Sequence, residues 1–423
     1  MARTRWGVLV VPALLYFLSY FHRVAPVVVA GDLMAAFAVS AATLGALSAI
    51  YPYCFAAMAL PGGSLADFLG PRRTLTLGGL SMSAGSVLFG LAPGFGVAFA
   101  GRLLVGLGAS VILIAGLRLA AEWFRTEEFG TVAGAAQSVG SLGAIAGTTP
   151  LALLVEQIGW RQGFVTIGAT TVLLAAACFL SVRDRPERGA AAEARPRAPE
   201  RRLGEIIAGI PSVIINARSW TVALISGGIY GGFAAFVGLW GVPYLTHVYE
   251  LPRVQAANLV GLAALGLLVG APLLGWLSDR LERRRLPLIV LSGLNVFTWA
   301  ALVGPATPIA PGYLPLICFL IGFGSSVVVV VFAAIREVND PRYVGVALGF
   351  HNLPTFLSFG IMQWVTGLVL DRYWDGALVA GARVYGHDAY RAAFALCLLL
   401  AVGAFLSACL APETRGRNIW RTA

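Results

Sequence analysis

Lysine is absent from this chain of 423 residues, so all 30 basic side chains are arginine. A nucleotide-binding P-loop needs its lysine, and a Schiff base needs a lysine amine, so neither chemistry is available. Charge of either sign is scarce. Only 12% of residues are charged, about half the roughly 25% usual in soluble domains. With 58% hydrophobic residues, the chain cannot cover a water-facing surface of ordinary size. A soluble enzyme, a DNA-binding domain and a disordered scaffold are excluded, despite a net charge of +10. No long charged stretch exists to form a globular domain on a single anchor. The five cysteines (Cys54, Cys178, Cys318, Cys397, Cys409) are odd in number and lie in apolar stretches. They read as small core hydrophobes rather than a disulfide set or a metal cluster. His-Glu-x-x-His, Gly-x-Ser-x-Gly and His/Cys pairs at metal spacing are all missing. No enzyme activity, cofactor or metal is expected.

What the chain has is apolar length. About 20 apolar residues cross a hydrocarbon core roughly 30 Å thick. Twelve such spans are expected, near 7–30, 41–61, 74–92, 95–121, 130–155, 162–182, 219–246, 255–276, 286–305, 311–335, 343–370 and 390–411. The run Trp6–Ala30 is too long for a signal-peptide core and reads as a retained first span. Residues 183–202, rich in Arg, Ala, Pro and Glu, read as a solvated linker. Leu203, Ile206, Ile207, Ile210 and Ile214 then share one helical face, which suggests a short helix in the membrane interface. The expected organisation is an N-terminal six-helix bundle (1–182), a cytoplasmic linker with an interfacial helix (183–218) and a C-terminal six-helix bundle (219–423). Of the 30 arginines, 22 fall beside the termini and linker and five on the other side. The positive-inside rule then puts both termini in the cytoplasm, here of a bacterial plasma membrane.

The halves repeat. Gly63-Ser64-Leu65-Ala66-Asp67 returns as Gly275-Trp276-Leu277-Ser278-Asp279, Gly106-Leu107-Gly108 as Gly322-Phe323-Gly324, and Gly130, Gly134 and Gln137 as Gly345, Gly349 and Asn352. One register fits all three, and two related six-span halves are an architecture of secondary transporters. The loop Gly63-x-x-x-Asp67-x-x-Gly70-Pro71-Arg72-Arg73 and its echo Gly275-x-x-x-Asp279-Arg280 resemble the major facilitator superfamily. Arg102-x-x-x-Gly106-x-Gly108, Gly159-Trp160-Arg161 and Pro412-Glu413-Thr414-x-Gly416 support the resemblance over nearly the whole chain. It implies an all-α membrane protein of 12 transmembrane helices in two pseudo-symmetric six-helix bundles, working by alternating access. Phe68 and Glu282 depart from the family's loop pattern.

Ionisable residues inside a span cost about 2.5–3.5 kcal/mol on insertion scales and mark function by default. The embedded ones are His22, Arg23, Arg102, Arg118 and His351, with no carboxylate deep in any span. Arginines without acids favour an anionic substrate and disfavour export of organic cations. Tyr16, Tyr20 and Arg23 follow at i, i+4 and i+7, one polar stripe on span one. Tyr20-Phe21-His22-Arg23 resembles the first span of the superfamily's organic-anion branch, which carries an acid where His22 stands. Beside Arg23, His22 would take up a proton only once an anion arrives, coupling symport to binding. Arg102 reads equally as a substrate contact or as structure. Helical phase adds Gln137 with Ser141 and Thr148, Tyr230 with Tyr244, Trp240 beside the Pro243 break, and His351, Asn352, Phe356 and Gln363 around Pro354. Gly63, Asp67, Arg72, Arg73, Arg118, Glu122, Gly275, Asp279 and Arg280 are the candidate gate. His247 and His387 read as solvated loop residues. The expected function is secondary transport of a small, carboxylate-like organic anion. The alternatives are export of a neutral or amphipathic compound, and a transporter-like sensor or assembly factor without flux.

Overall fold

The computed structural model describes residues 2–59, 61–124, 126–184 and 203–420. Backbone groups in hydrocarbon must be satisfied within their own segment, so apolar runs of this length become helices. α1 (Ala2–Val24) with α2 (Pro26–Phe37) forms the first span and α3 (Ala41–Met58) with α4 (Pro61–Leu69) the second. α5 (Pro71–Gly90) and α6 (Phe95–Trp123) are the third and fourth. α7 (Thr126–Ala146) begins the fifth, while α8 (Thr149–Ser181) completes the fifth and forms the sixth. As one rod, a helix of that length would reach about 50 Å, too long for one crossing. Gly159 divides it with φ at +77°, a left-handed conformation that glycine takes without a Cβ penalty.

Past the linker come α9 (Leu203–Ile215) and α10 (Ala217–Ala235), a π turn at Phe236–Trp240, and α11 (Gly241–Tyr249), which ends the seventh span. α12 (Arg253–Arg280), α13 (Arg285–Val303), α14 (Leu314–Ser325) with α15 (Val327–Glu337), α16 (Val344–Arg372) and α17 (His387–Leu410) supply the eighth to the twelfth. A small hairpin pairs Leu378–Val379 with Ala382–Arg383 between α16 and α17. The result is the expected pair of six-helix bundles, with both termini at one end. Among the described residues ten helices are long and apolar enough to cross a membrane; α5 and α7, rich in small and polar residues, fall short of that measure. α5 packs within its bundle instead. Ser83 and Ser86 donate from it to the carbonyls of Gly168 and Phe164, each at 2.7 Å, in the manner of small polar residues that let membrane helices approach closely.

Most of the expected linker lies outside the described residues, as do the surroundings of Gly63 and the side chain of Asp67. Pro354 does not interrupt its span: α16 runs through it. Near Pro243 the seventh span also continues, through the π turn rather than a break.

The halves are tied together at the end away from the termini. Arg253 pairs with Asp32 at 3.0 Å, and Thr149 donates to Asn258 at 2.6 Å. Asp371, at the last turn of α16, accepts from the amides of Ala41 and Ala42 at 3.1 and 2.8 Å. The two helices approach closely here: a Cβ on Gly45 would stand 2.4 Å from the Gln363 carbonyl, and one on Gly367 2.4 Å from that of Ala41. Further along the seam, Phe55 meets Phe356 at 5.1 Å between ring centroids.

Candidate functional site

Arg23 sits in the last turn of α1, where the first span changes helix. Its guanidinium carbon lies 4.1 Å from the ring centroid of Tyr20, 5.0 Å from Phe55, 5.6 Å from Phe356 and 5.9 Å from Tyr51. Three of these rings come from the N-terminal half and Phe356 from the other, so the cation stands at the seam of the bundles. Aromatic faces offset part of the cost of holding a cation here, and the Tyr20 and Tyr51 hydroxyls take up part of its hydrogen-bonding capacity. The Nε atom has no partner. A planar guanidinium with its Nε donor free matches a carboxylate or sulfonate.

The polar wall beside it is a short chain. Tyr16 donates to Gln137 at 3.3 Å, and the Gln137 amide donates to Tyr20 at 3.1 Å. The two tyrosine rings pack edge to face at 5.0 Å. α7 comes close enough for this because Gly143 lies against the backbone of Phe17 and Gly140 against both tyrosines. Tyr230, half-buried on α10, is within electrostatic range of Tyr20 and Arg23. Asn352, on α16 one turn before Phe356, is half-buried. An apolar pocket of about 190 Å³ opens between α1, α6 and α7, with Trp6, Val10, Leu117, Val139 and Tyr16 in its walls. Tyr16 is the one of these shared with the polar chain.

Other expected contacts point elsewhere. His22 is 1% exposed and stacks on Phe164 at 6.2 Å inside the N-terminal bundle; a helix sends neighbouring residues about 100° apart, so it does not share Arg23's cage. His351 is wholly buried against the edge of Phe332 at 4.8 Å, within the C-terminal bundle. Trp240 is equally buried, its indole donating to the Gln363 carbonyl at 3.4 Å. Arg102 is 2% exposed and donates to the His22 carbonyl at 2.9 Å. His247 is not solvated: it meets the Tyr390 hydroxyl at 3.0 Å. The ring nitrogens of His387 are also buried.

At the terminal end, each half ties its own loops. Arg118 pairs with Glu122 at 3.3 Å. Arg72 donates through its amide to Asp184 at 2.7 Å and through Nε to the Phe179 carbonyl at 2.7 Å, while Arg73 is exposed. Asp279 pairs with Arg284 at 2.6 Å, not with Arg280, which lies over Trp276. Arg284 also holds Glu337 at 3.0 Å, and Glu337 accepts from Thr414. Gly275 sits against Val329. The sequence reading missed Asp184, Arg284, Glu337, Tyr51 and Phe55. Tyr51 and Phe55, at i and i+4 on α3, carried a signal: they share a helical face.

Two six-helix bundles meeting at a seam, with Arg23 caged between aromatic rings of both, are the architecture of a two-bundle membrane transporter. Residues 13–362 match the Major Facilitator Superfamily, and the chain belongs to that family. The probable sulfoacetate transporter SauU of Cupriavidus necator is 28% identical over 317 residues, 73% of this chain and 72% of its own. The membrane sensor protein UhpC of Escherichia coli is 26% identical over 86% of both chains, and a probable L-galactonate transporter of the same species is 27% identical over 56% of this chain and 54% of its own. Among solved structures, a bacterial homologue of the human lysosomal transporter Spinster superposes with a TM-score of 0.76 at 18% identity, covering 98% of this chain and 97% of that one. The nucleoside transporter NupG gives 0.74 at 14%, over 95% and 99%. The protein is a transporter and not an enzyme.

Proposed function

We propose that this chain moves a small organic anion by alternating access, with Arg23 holding the anion's charge. The observation that carries this reading is the Arg23 cage: a guanidinium at the seam of the halves, faced by four aromatic rings, its Nε unpartnered. The Tyr16–Gln137–Tyr20 chain would orient the rest of the molecule, and Tyr230 and Asn352 would reach it from the second half. Relatives named for sulfoacetate and L-galactonate support an anion at this place. With no P-loop lysine in the chain, any pumping draws on a gradient or on a partner subunit. The excess of arginine beside the termini supports a plasma-membrane protein with both termini on the cytoplasmic side.

The test is counterflow. Purified protein in liposomes preloaded with short carboxylates or sulfonates should accumulate the labelled anion, and should ignore neutral sugars and nucleosides. Exchange of neutral compounds alone would overturn the reading. A second reading follows from the sensor-named relative matched over 86% of the chain: the same site would detect an anion without moving it. Saturable binding with no counterflow would favour that alternative.

A further inference from the structure

In α1 the carbonyl of His22 should receive the amide of residue 26, four positions on. That residue is Pro26, which has no N–H and whose ring crowds the carbonyl four residues before it. The flanking backbone is otherwise regular. Ala25 keeps right-handed helical torsions (φ −45°, ψ −37°), and its amide reaches the Phe21 carbonyl at 2.9 Å. One acceptor is thus orphaned inside the membrane, next to Arg23 in sequence, where an unsatisfied backbone group is costly. The Arg102 guanidinium fills the gap, its NH1 donating to the His22 carbonyl at 2.9 Å. Arg102 comes from α6, is 2% exposed and has its Nε unpartnered. Its guanidinium carbon lies 5.4 Å from the centroid of the Tyr51 ring, which Arg23 also faces at 5.9 Å. Tyr51 holds the same turn of α1 by donating to the Ser19 carbonyl at 2.6 Å. The second half solves a like problem with another side chain. At its π turn, Gln363 of α16 donates to the Ala234 carbonyl at 3.4 Å.

We propose that Arg102 is a positioning residue: its guanidinium supplies the hydrogen bond that Pro26 cannot, and so fixes the turn of α1 that aims Arg23 at the seam. This explains a buried arginine without assigning it to the substrate. The inference rests on Arg23 as the anion anchor only for its effect on affinity; its effect on the helix stands alone.

The decisive variants are Arg102→Met, Pro26→Ala and the two combined. Alanine at 26 restores the amide in a backbone that is already helical, so it should make Arg102 dispensable. Arg102→Met should lower the thermal unfolding temperature of the ligand-free protein in detergent. It should also weaken the anion that wild type exchanges by on the order of tenfold, as losing one charge-assisted hydrogen bond does. The double variant should recover both quantities, and Arg102→Lys, which keeps a donor, should fall between. If Arg102→Met aggregates, the double variant should still purify as a monodisperse species. Wild-type behaviour of Arg102→Met, or a double variant no better than Arg102→Met, would overturn the proposal. Restored thermal stability without any anion binding in wild type would leave it intact and overturn the anion reading instead.

Discussion

Asp371 on α16 caps α3 of the other half, a contact that the proposed alternating access would have to break. Its carboxylate accepts the first-turn amides of α3 at 3.1 and 2.8 Å, and is held in place by Arg383 at 3.0 Å and Tyr385 at 2.9 Å. The acceptor therefore belongs to one half and the capped amides to the other, and opening of this end in the proposed cycle would separate them. Losing a helix cap costs about 0.5–2 kcal/mol, and losing a negative charge at a helix N-terminus costs about 0.3–1 kcal/mol more. Together these favour the closed end by roughly 1–3 kcal/mol, or a factor of about 5–150 in population. Asp371→Ala should remove that bias. Asp371→Asn, which keeps an acceptor but not the charge, should remove only the smaller part. Spin labels at Gln157 and Thr307, exposed on opposite halves at this end, report the separation by pulsed electron resonance. The longer distance should gain population in the order wild type, Asp371→Asn, Asp371→Ala. An unchanged distribution, or a shift to shorter distances, would refute the latch.

Gly143→Ala should lower thermal stability by separating α7 from α1, because the new Cβ would stand 2.1 Å from the Phe17 carbonyl; Gly134→Ala, with nothing within 4 Å, should be neutral or stabilising. Equal melting temperatures for the pair would contradict the packing. Arg284→Met leaves the half-buried Glu337 without its cation, with Thr414 still donating to it, and should destabilise by about 2–3 kcal/mol, whereas Asp279→Asn, at a carboxylate 71% exposed, should cost about 1 kcal/mol or less; denaturant midpoints in detergent would rank them. Desolvation raises the pKa of Glu413, but the amides of Arg284, Arg415 and Arg285 outweigh it and hold the carboxyl below its ordinary value of 4.5. Its contribution is therefore complete above that pH and lost as pH falls through the depressed value. The melting-temperature gap between wild type and Glu413→Gln should be constant at neutral pH and close in acid; a gap that widened in acid would reverse the sign.

The spans, the repeat and the embedded arginines were legible because membrane burial leaves a coarse mark: length, apolarity and the cost of charge. Contacts within a bundle leave none as clear. His22 and Arg23 are adjacent in sequence, yet helical geometry sends one into the bundle core and the other to the seam. Arg102 stood out as a buried charge, but its partner is a carbonyl freed by Pro26, a pairing that needs the position of α6 beside α1. Tyr51 and Phe55 were hidden in an apolar run, where aromatic residues read as ordinary core. Arg284 was one arginine among three in a row, and only the fold selects it for Glu337. Only the fold separates the glycines of α7: Gly143 carries the close approach, while Gly134 faces open space.

Arg23 is the residue on which the account turns, and equilibrium binding tests it most directly. Titration of an anion that wild type exchanges, against wild type, Arg23→Lys and Arg23→Ala in the same detergent, compares a bidentate cation, a point charge and no charge. Arg23→Ala should lose on the order of 10- to 100-fold in affinity, the value of one charge-assisted contact, and Arg23→Lys should fall between it and wild type. Wild-type affinity in Arg23→Ala, with the protein folded, would contradict the account.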